Sequence, residues 1–295
     1  MIGSIGPSNI TPQKEEPKVA NLNHTGYRGI ALTVAGSDSG GGAGIQADLK
    51  TFAALRVFGT SVITAVTAQN SLGVRHVEVL SPESIKEQLR AVLSDFPVGA
   101  MKTGMLASSE VIEALCEVLS EFAPQKIVVD PVMISQTGHA LIDQSAISTL
   151  KEKLFKHALL VTPNLPEAEK LVEFPIEDEK SAQKAASAIA QMGAKAVLIK
   201  GGHRESQTLQ DLLFIGERVR VFTHPRIPTE NTHGTGCTLS AAITAELASG
   251  CPLEEAVERG ITYLQMALRR SFRPGKGPGP VGHFVVPSWV GEADD

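Results

Sequence analysis

The sequence predicts a three-layer α/β/α fold with a mostly parallel central sheet. Short apolar runs alternate along the chain with stretches of helical periodicity, which is the pattern of repeated strand–helix units. Several apolar runs end directly in glycine or a charged residue, as at Gly36, Asp130 and Lys200, and such residues face the ligand crevice at the carboxyl edge of a parallel sheet. No repeat or linker divides residues 29–290. We therefore predict one domain over residues 29–295, preceded by a flexible extension at residues 1–28.

The composition is that of a globular protein that binds small molecules. The chain has 295 residues, 42% of them hydrophobic and 20% charged, which is enough to bury a large core. A net charge of −5 and 4% aromatic residues argue against nucleic acids and anionic membranes as partners. The three cysteines form no Cys-x-x-Cys pair, and no apolar run has transmembrane length. These features predict a cytoplasmic protein without structural zinc, and a homodimer is compatible with them.

Each element follows from a local pattern. Continuous apolar or β-branched runs predict buried strands at residues 30–35, 61–67, 99–104, 126–133, 159–164 and 196–200, with an edge hairpin at 212–215 and 219–222. Helical periodicity predicts helices at residues 45–55, 82–95, 109–122, 166–172, 181–192, 239–248 and 253–270. The candidate N-caps are Ser81 for the helix at 82–95 and either Ser108 or Ser109 for the helix at 109–122. Pro82 suits the first helical position, and Gly193 closes the helix at 181–192.

Two glycines precede the apolar helix near residue 239. Gly234 and Gly236 lie where the first turn leaves backbone N–H groups without intrahelical partners and where the helix dipole is positive. Glycine allows the backbone to approach a ligand closely. The segment therefore predicts an anion site, most plausibly for phosphate, although an ordinary helix entry has the same composition.

Cys237 falls in the first turn of the same helix. A helix N-terminus stabilises a thiolate and lowers the pKa of the thiol, so Cys237 is a candidate base or nucleophile. The alternative is a small buried hydrophobic residue, as most free cysteines are.

Polar residues elsewhere mark further candidate sites. The glycine-rich run 36–44 joins a strand to a helix but matches neither a dinucleotide fingerprint nor a P-loop. Gln69 carries a donor and an acceptor on one amide, which suits a pyrimidine ring nitrogen beside an exocyclic amine. Asn164 and Glu167 have the spacing of a capping box, and Lys200 could reach phosphates as a point charge.

Five separated motifs then resemble those of one family. The segment 231–238 resembles the anion-hole motif of the ribokinase-like superfamily of small-molecule kinases, in which most members have Asp where this chain has Cys237. Cysteine there, together with the segments 35–51, 68–70 and 279–284, resembles the hydroxymethylpyrimidine/phosphomethylpyrimidine kinases of thiamine biosynthesis. The Asn164-x-x-Glu167 segment also matches the superfamily pattern for the magnesium and phosphate shell.

The resemblance implies a ribokinase-like fold and a reaction with ATP and Mg²⁺. ATP would phosphorylate 4-amino-5-hydroxymethyl-2-methylpyrimidine at its hydroxyl and then convert the monophosphate to the diphosphate. Cys237 would take the hydroxyl proton, and the backbone around Gly234 and Gly236 would stabilise the moving phosphoryl group. The substrate pocket is implied to contain Gln69, Asp48, Ala43, Met105 and Val132. The ATP phosphates are implied to contact Lys200, Asn164, Thr232 and Thr235, with Mg²⁺ held through water by Asp130 and Glu167.

Three alternatives remain open from the sequence. A pyridoxal or pyridoxine kinase, or a dual-specificity kinase, would share the fold and the ATP site. A cysteine hydrolase could pair Cys237 with His233. A non-catalytic ligand-binding regulator would keep the fold without the reaction.

Overall fold

A computed structural model describes Leu22 and residues 25–134, 141–202 and 207–291. The strands, in chain order, are β1 (Gly29–Asp38), β2 (Val57–Asn70), β3 (Gly73–Val79), β4 (Ala100–Thr103), β5 (Ile127–Val129), β6 (Leu160–Val161), β7 (Ala196–Ile199), β8 (Thr208–Ile215) and β9 (Arg218–Pro225). Over these residues the strands form one nine-stranded sheet in the order β3-β2-β1-β4-β5-β6-β7-β8-β9. The six strands from β2 to β7 in this order are parallel, whereas β3, β8 and β9 join antiparallel at the two edges. The predicted mostly parallel sheet is confirmed.

Helices cover both faces of this sheet. They are α1 (Gly44–Ala54), α2 (Pro82–Asp95), α3 (Ser109–Phe122), α4 (Gln144–Thr149), α5 (Leu165–Val172), α6 (Glu179–Gln191), α7 (Thr235–Ala248) and α8 (Leu253–Arg269). Successive residues of a strand point to opposite faces, so Leu32 of β1 packs with α2 and α3 while Ala31 packs with Phe52 and Tyr263 on α1 and α8. The helices α2–α6 thus bury one face and α1, α7 and α8 the other, which confirms the three-layer architecture.

Helix starts follow the predicted capping chemistry, but two of them lie earlier than predicted. The helix expected from Leu239 already begins at Thr235, so Gly236 is its second residue and does not precede it. The Ser81 side chain accepts from the Ser84 N–H at 3.2 Å, and the Ser108 side chain accepts from the Val111 N–H at 3.4 Å. The helix predicted from Ser181 begins earlier, at Glu179, because Asp178 and Ser181 form a reciprocal capping box. Ser181 is therefore the third residue of α6 rather than its start.

Two elements were not predicted, β3 and α4. β3 is an edge strand with charged, exposed residues such as Arg75 and Glu78, so it has little apolar alternation to detect. Its hydrogen bonds come from β2, which extends to Asn70, beyond the predicted end at Thr67. Pairing between β2 and β3 therefore explains both the presence of β3 and the greater length of β2.

The predicted extension at residues 1–28 falls mostly outside the described residues. Its last two residues contact the domain: the rings of Tyr27 and Phe58 meet edge to face at 5.5 Å, and Arg28 pairs with Glu246 of α7 at 3.0 Å. No helix in the described ranges is long and apolar enough to cross a membrane.

Candidate active site

A cavity of about 700 Å³ lies at the carboxyl ends of the parallel strands, against the N-terminus of α7. The predicted site residues that line it are Ala43, Gln69, Met105, Asp130, Val132, Asn164, Glu167, Lys200, Thr232, Gly234, Thr235, Gly236 and Cys237. Residues from five strand ends and from the loop before α7 therefore meet in one space, although they are spread over some two-thirds of the chain.

The start of α7 has the geometry of an anion site. Gly234 is the N-cap residue with φ +78°, and a Cβ there would collide with the Gly42 carbonyl, so glycine is required on both counts. Among the described hydrogen bonds, none uses the N–H of Gly236 or Cys237. These two donors in the first helical turn remain available to an anion.

Asp38, which was not predicted as a site residue, joins the two glycine loops. Its carboxylate accepts from the N–H groups of Gly40, Gly42 and Ala43 at 2.8–3.0 Å and from His233 Nε2 at 2.9 Å. Burial alone would raise the pKa of Asp38, but the bond and charge of His233 together with the backbone donors lower it. An aspartate directly before a glycine-rich turn was the available signal.

The His233 side chain lies beside Asp38 and Gln69 on the cavity wall. Its Nε2 lies 2.9 Å from Asp38 and 3.4 Å from Gln69 Nε2, and Gln69 Oε1 accepts from Thr67 Oγ1 at 3.3 Å. No hydrogen bond in the described part of the chain joins His233 to Cys237. The Cys–His pair that a cysteine hydrolase requires is not formed in this structure.

Asp48 is placed differently from its prediction. It is fully buried beneath the cavity wall and accepts from Lys102 Nζ at 2.7 Å and from Thr33 Oγ1 at 2.6 Å. The side of α1 that carries Asp48 faces the sheet, so its carboxylate contacts side chains of β1 and β4 and does not reach the cavity. The structure therefore corrects the prediction that Asp48 lines the substrate pocket. Lys102, a charge within a buried strand, was the missed signal.

Lys200 forms a second buried charged cluster with two carboxylates. Its Nζ lies 3.0 Å from Asp130 Oδ1 and 4.0 Å from Glu167 Oε2. Burial opposes the charge on Lys200, but the two carboxylates outweigh it and raise the pKa of the lysine. Burial raises the pKa of Glu167 to about 7 despite the neighbouring Lys200.

Glu167 also completes the capping box of α5. Its N–H donates to Asn164 Oδ1 and its carboxylate accepts from the Asn164 N–H, both at 2.9 Å. The capping role that competed with the magnesium role is thus present. The described residues contain no group of three or more His, Cys, Asp or Glu side chains that could enclose a metal. Two carboxylates beside a candidate anion site nevertheless suit Mg²⁺, which keeps several waters and uses substrate phosphates as ligands.

Cys237 lies at the predicted place, but its thiol has the opposite pKa shift. Burial raises the pKa of Cys237 to about 11, although the nearby Lys102 ammonium and the Gly44 N–H act to lower it. The predicted low-pKa thiolate is therefore wrong. Desolvation of the thiol outweighs the favourable position at the helix N-terminus.

A further polar group, missed by sequence reasoning, lies on the cavity wall. His224 Nε2 is 2.9 Å from Asp211 Oδ2, and Gln265 Nε2 is 3.0 Å from His224 Nδ1. The three residues come from β8, β9 and α8 and have no common sequence motif, so only the fold brings them together.

Comparisons with known proteins give one consistent result. Residues 38–282 match the family model described as phosphomethylpyrimidine kinase. The chain is 47% identical to the hydroxymethylpyrimidine/phosphomethylpyrimidine kinase of Bacillus subtilis, with 86% of this chain and 94% of that protein covered. It is 51% identical over 88% of its length to the thiamine biosynthesis bifunctional protein ThiED of Geobacter sulfurreducens, but spans about half, 53%, of that longer relative. Its fold is similar to that of an ADP complex of Bacillus subtilis pyridoxal kinase, with a TM-score of 0.81, 36% identity and coverage of 86% and 97% of the two chains.

Proposed function

Because the chain belongs to the phosphomethylpyrimidine kinase family, we propose that it transfers the γ-phosphoryl group of ATP to 4-amino-5-hydroxymethyl-2-methylpyrimidine. A second transfer to the resulting monophosphate gives the diphosphate used in thiamine biosynthesis. The observation that carries this proposal is the convergence of Gln69, Cys237 and Lys200 on one cavity at the N-terminus of α7.

The substrate end of the cavity positions the pyrimidine. The Gln69 amide offers a donor and an acceptor to the ring nitrogen and exocyclic amine, and Ala43, Met105 and Val132 enclose the ring beside it. Asp38 and His233 support this end by holding the glycine loop against the loop before α7. Such positioning brings the hydroxyl into line with the phosphoryl group.

The phosphate end neutralises charge. The N–H groups of Gly236 and Cys237 donate hydrogen bonds to the oxygens of the transferring phosphoryl group. Lys200 neutralises charge on the neighbouring phosphates. Asn164, Thr232 and Thr235 line the same part of the cavity. Asp130 and Glu167 are the residues that would hold Mg²⁺ with its waters, and the ion supplies charge neutralisation when bound.

Cys237 receives the hydroxyl proton in this proposal. With a pKa near 11 the thiol is mostly protonated at neutral pH, so only a small thiolate fraction acts as base. Lys102, buried and paired with Asp48, places a positive charge near this thiolate. Activity that depends on the thiolate should increase as pH rises.

A pyridoxine or pyridoxal kinase is the second candidate, because the fold is similar to that of a pyridoxal kinase. ADP release measured side by side with the hydroxymethylpyrimidine and with pyridoxine distinguishes the two. We expect the higher kcat/KM with the pyrimidine, since the identity to the pyrimidine kinase relatives is higher. Faster turnover of pyridoxine would reverse the assignment, and no ADP release with either would reject both.

A further inference from the structure

Lys170 of α5 is a charged residue of the cavity wall that the proposed reaction does not use. Two other cations that line the cavity have protein partners: Lys200 lies 3.0 Å from Asp130, and Arg226 donates to the Gly202 carbonyl at 3.2 Å. Lys170 is exposed and lines the same cavity. No ion pair or hydrogen bond within the described part of the chain involves its ammonium, so this positive charge is available to a ligand.

The geometry of α5 directs Lys170 toward the phosphate end of the cavity. The helix begins at that end, where Asn164 caps it and Glu167 lies 4.0 Å from Lys200. Lys170 follows Glu167 by three residues, so the two side chains share one face of the helix, with Cβ atoms about 5–6 Å apart. Side chains of a helix also lean toward its N-terminus. The ammonium of Lys170 therefore lies at the rim of the phosphate end.

The proposed ligands bring more negative charge than the paired residues of the cavity can balance. ATP is a polyanion, and the monophosphate acceptor of the second transfer adds a further phosphate. The positive charge of Lys200 is already shared with Asp130 and Glu167. A lysine ammonium on a flexible stem attracts phosphates as a point charge and needs no fixed geometry. Lys170 can supply such a charge without the loss of an existing ion pair.

We propose that Lys170 is a further phosphate-binding residue, which attracts the terminal phosphates of the donor nucleotide from the rim of the cavity. The ligand class is a nucleoside triphosphate, recognised here through its phosphate charge and not through its base. This inference rests on the proposed use of ATP, and it adds a residue outside the predicted site residues. Because Lys170 is exposed, the attraction is modest and is screened by salt.

The test is equilibrium binding of ATP and of adenosine, each with Mg²⁺, to the full-length protein and its Lys170→Glu variant. An exposed charge pair changes an affinity by about 1.5–5-fold. Charge reversal replaces attraction with repulsion, so ATP affinity should fall by the square of that factor, about 2–25-fold. Adenosine has no phosphate, and its affinity should stay the same. An increase in ionic strength from about 0.05 M to about 0.5 M should reduce the loss of ATP affinity.

Lys195→Glu is the matched control. Lys195 is also an exposed lysine without an ion pair among the described residues, and its substitution makes the same change in net charge. It directly precedes β7, at the amino ends of the parallel strands, and it does not line the cavity. Lys170→Met provides a second variant, which removes the charge without reversing it and should lower ATP affinity by about 1.5–5-fold.

The outcomes separate this inference from the proposed reaction. An ATP affinity of Lys170→Glu no lower than that of Lys195→Glu would overturn it, as would an equal loss for ATP and adenosine or a loss that salt does not reduce. A salt-sensitive loss confined to ATP, in a protein that does not phosphorylate the pyrimidine, would support the role of Lys170 while rejecting the proposed acceptor. Failure of the wild type to bind ATP would reject both.

Discussion

The chemistry of Cys237 depends on the surroundings of its thiol. The thiolate is disfavoured by burial and favoured by Lys102 and by the Gly44 N–H, and the balance places the pKa near 11. Because the ionised form increases about tenfold per pH unit below this pKa, kcat should rise with pH through the range 7–9 without a plateau near the free-thiol value of about 8.5.

Cys237→Ala tests this role of the thiol. If Cys237 is the base, the substitution should lower kcat by about 10²–10⁴-fold and flatten the pH profile. ATP affinity should survive, because the backbone N–H groups at Gly236 and at position 237 remain. Steady-state rates from pH 6.5 to 9.5 for both proteins provide the measurement. A variant with near wild-type kcat and the same pH profile would reject the base role of Cys237. Catalysis would then depend on the anion site, Lys200 and Mg²⁺.

Gln69 carries the substrate prediction. Gln69→Leu keeps the size of the side chain but removes its donor and acceptor, so substrate recognition should weaken by about 1–3 kcal/mol. The KM for the pyrimidine should rise accordingly while the KM for ATP stays the same, which serves as the internal control. An unchanged pyrimidine KM would place Gln69 outside the substrate contact.

The element that organises the site is the N-terminus of α7. Gly234 has φ +78° and lies against the Gly42 carbonyl, whereas Gly216 in the β8–β9 turn has φ +59° and open space around it. Both positions penalise a side chain through φ, but only Gly234 adds a collision between two loops. This contrast provides a matched pair of variants.

Gly234→Ala should therefore displace the loop, destabilise the protein by more than about 1 kcal/mol and reduce activity strongly. Gly216→Ala should show the backbone penalty alone, with activity close to the wild type. Denaturant unfolding and kcat/KM measured on both variants check this. Equal effects on both properties in the two variants would show that the loop contact does not matter.

Segments from both ends of the domain meet at Glu246, near the carboxyl end of α7. Its fully buried carboxylate accepts from Arg28 before β1 at 3.0 Å, from Arg259 of α8 at 2.9 Å and from Trp289 near the carboxyl end at 3.1 Å. Burial would raise the pKa of Glu246, but these donors outweigh it and lower the pKa. One residue thus connects segments from both ends of the domain.

The lowered pKa predicts how stability depends on pH. A carboxylate with a depressed pKa in the folded state contributes fully above its unfolded value of about 4.5 and loses this contribution as pH falls through the folded value. Glu246→Gln should cost about 1.5–3 kcal/mol at pH 7, and the difference from the wild type should shrink as the pH falls below about 4.5. Unfolding free energies at pH 7 and pH 3.5 provide the measurement.

The exposed Glu258→Gln is the control for this experiment. Glu258 pairs with Arg220 at the surface, where an ion pair contributes only about 0–1 kcal/mol. A loss at Glu258 as large as the loss at Glu246 would contradict the buried role of Glu246.

Features that depend on neighbouring residues could be predicted from local sequence patterns. Strand periodicity, the caps at Ser81 and Ser108, and the glycines around Gly234 are local, and they predicted the layered fold and the anion site. The polar residues at strand ends, such as Asp130 and Lys200, followed from the rule that parallel strands end at one edge. The same local view missed β3, whose hydrogen bonds come entirely from another segment.

Features that depend on burial and on distant partners required the three-dimensional fold. Position in a helix predicted a low pKa for Cys237, but the surrounding elements desolvate the thiol and raise it. Asp48 lies on the sheet-facing side of α1, where it pairs with Lys102 and does not line the cavity. Gln265, His224 and Asp211 meet on the cavity wall although they come from three different elements. Desolvation and long-range hydrogen bonds act between parts of the chain that sequence spacing does not relate, which is why the fold had to supply them.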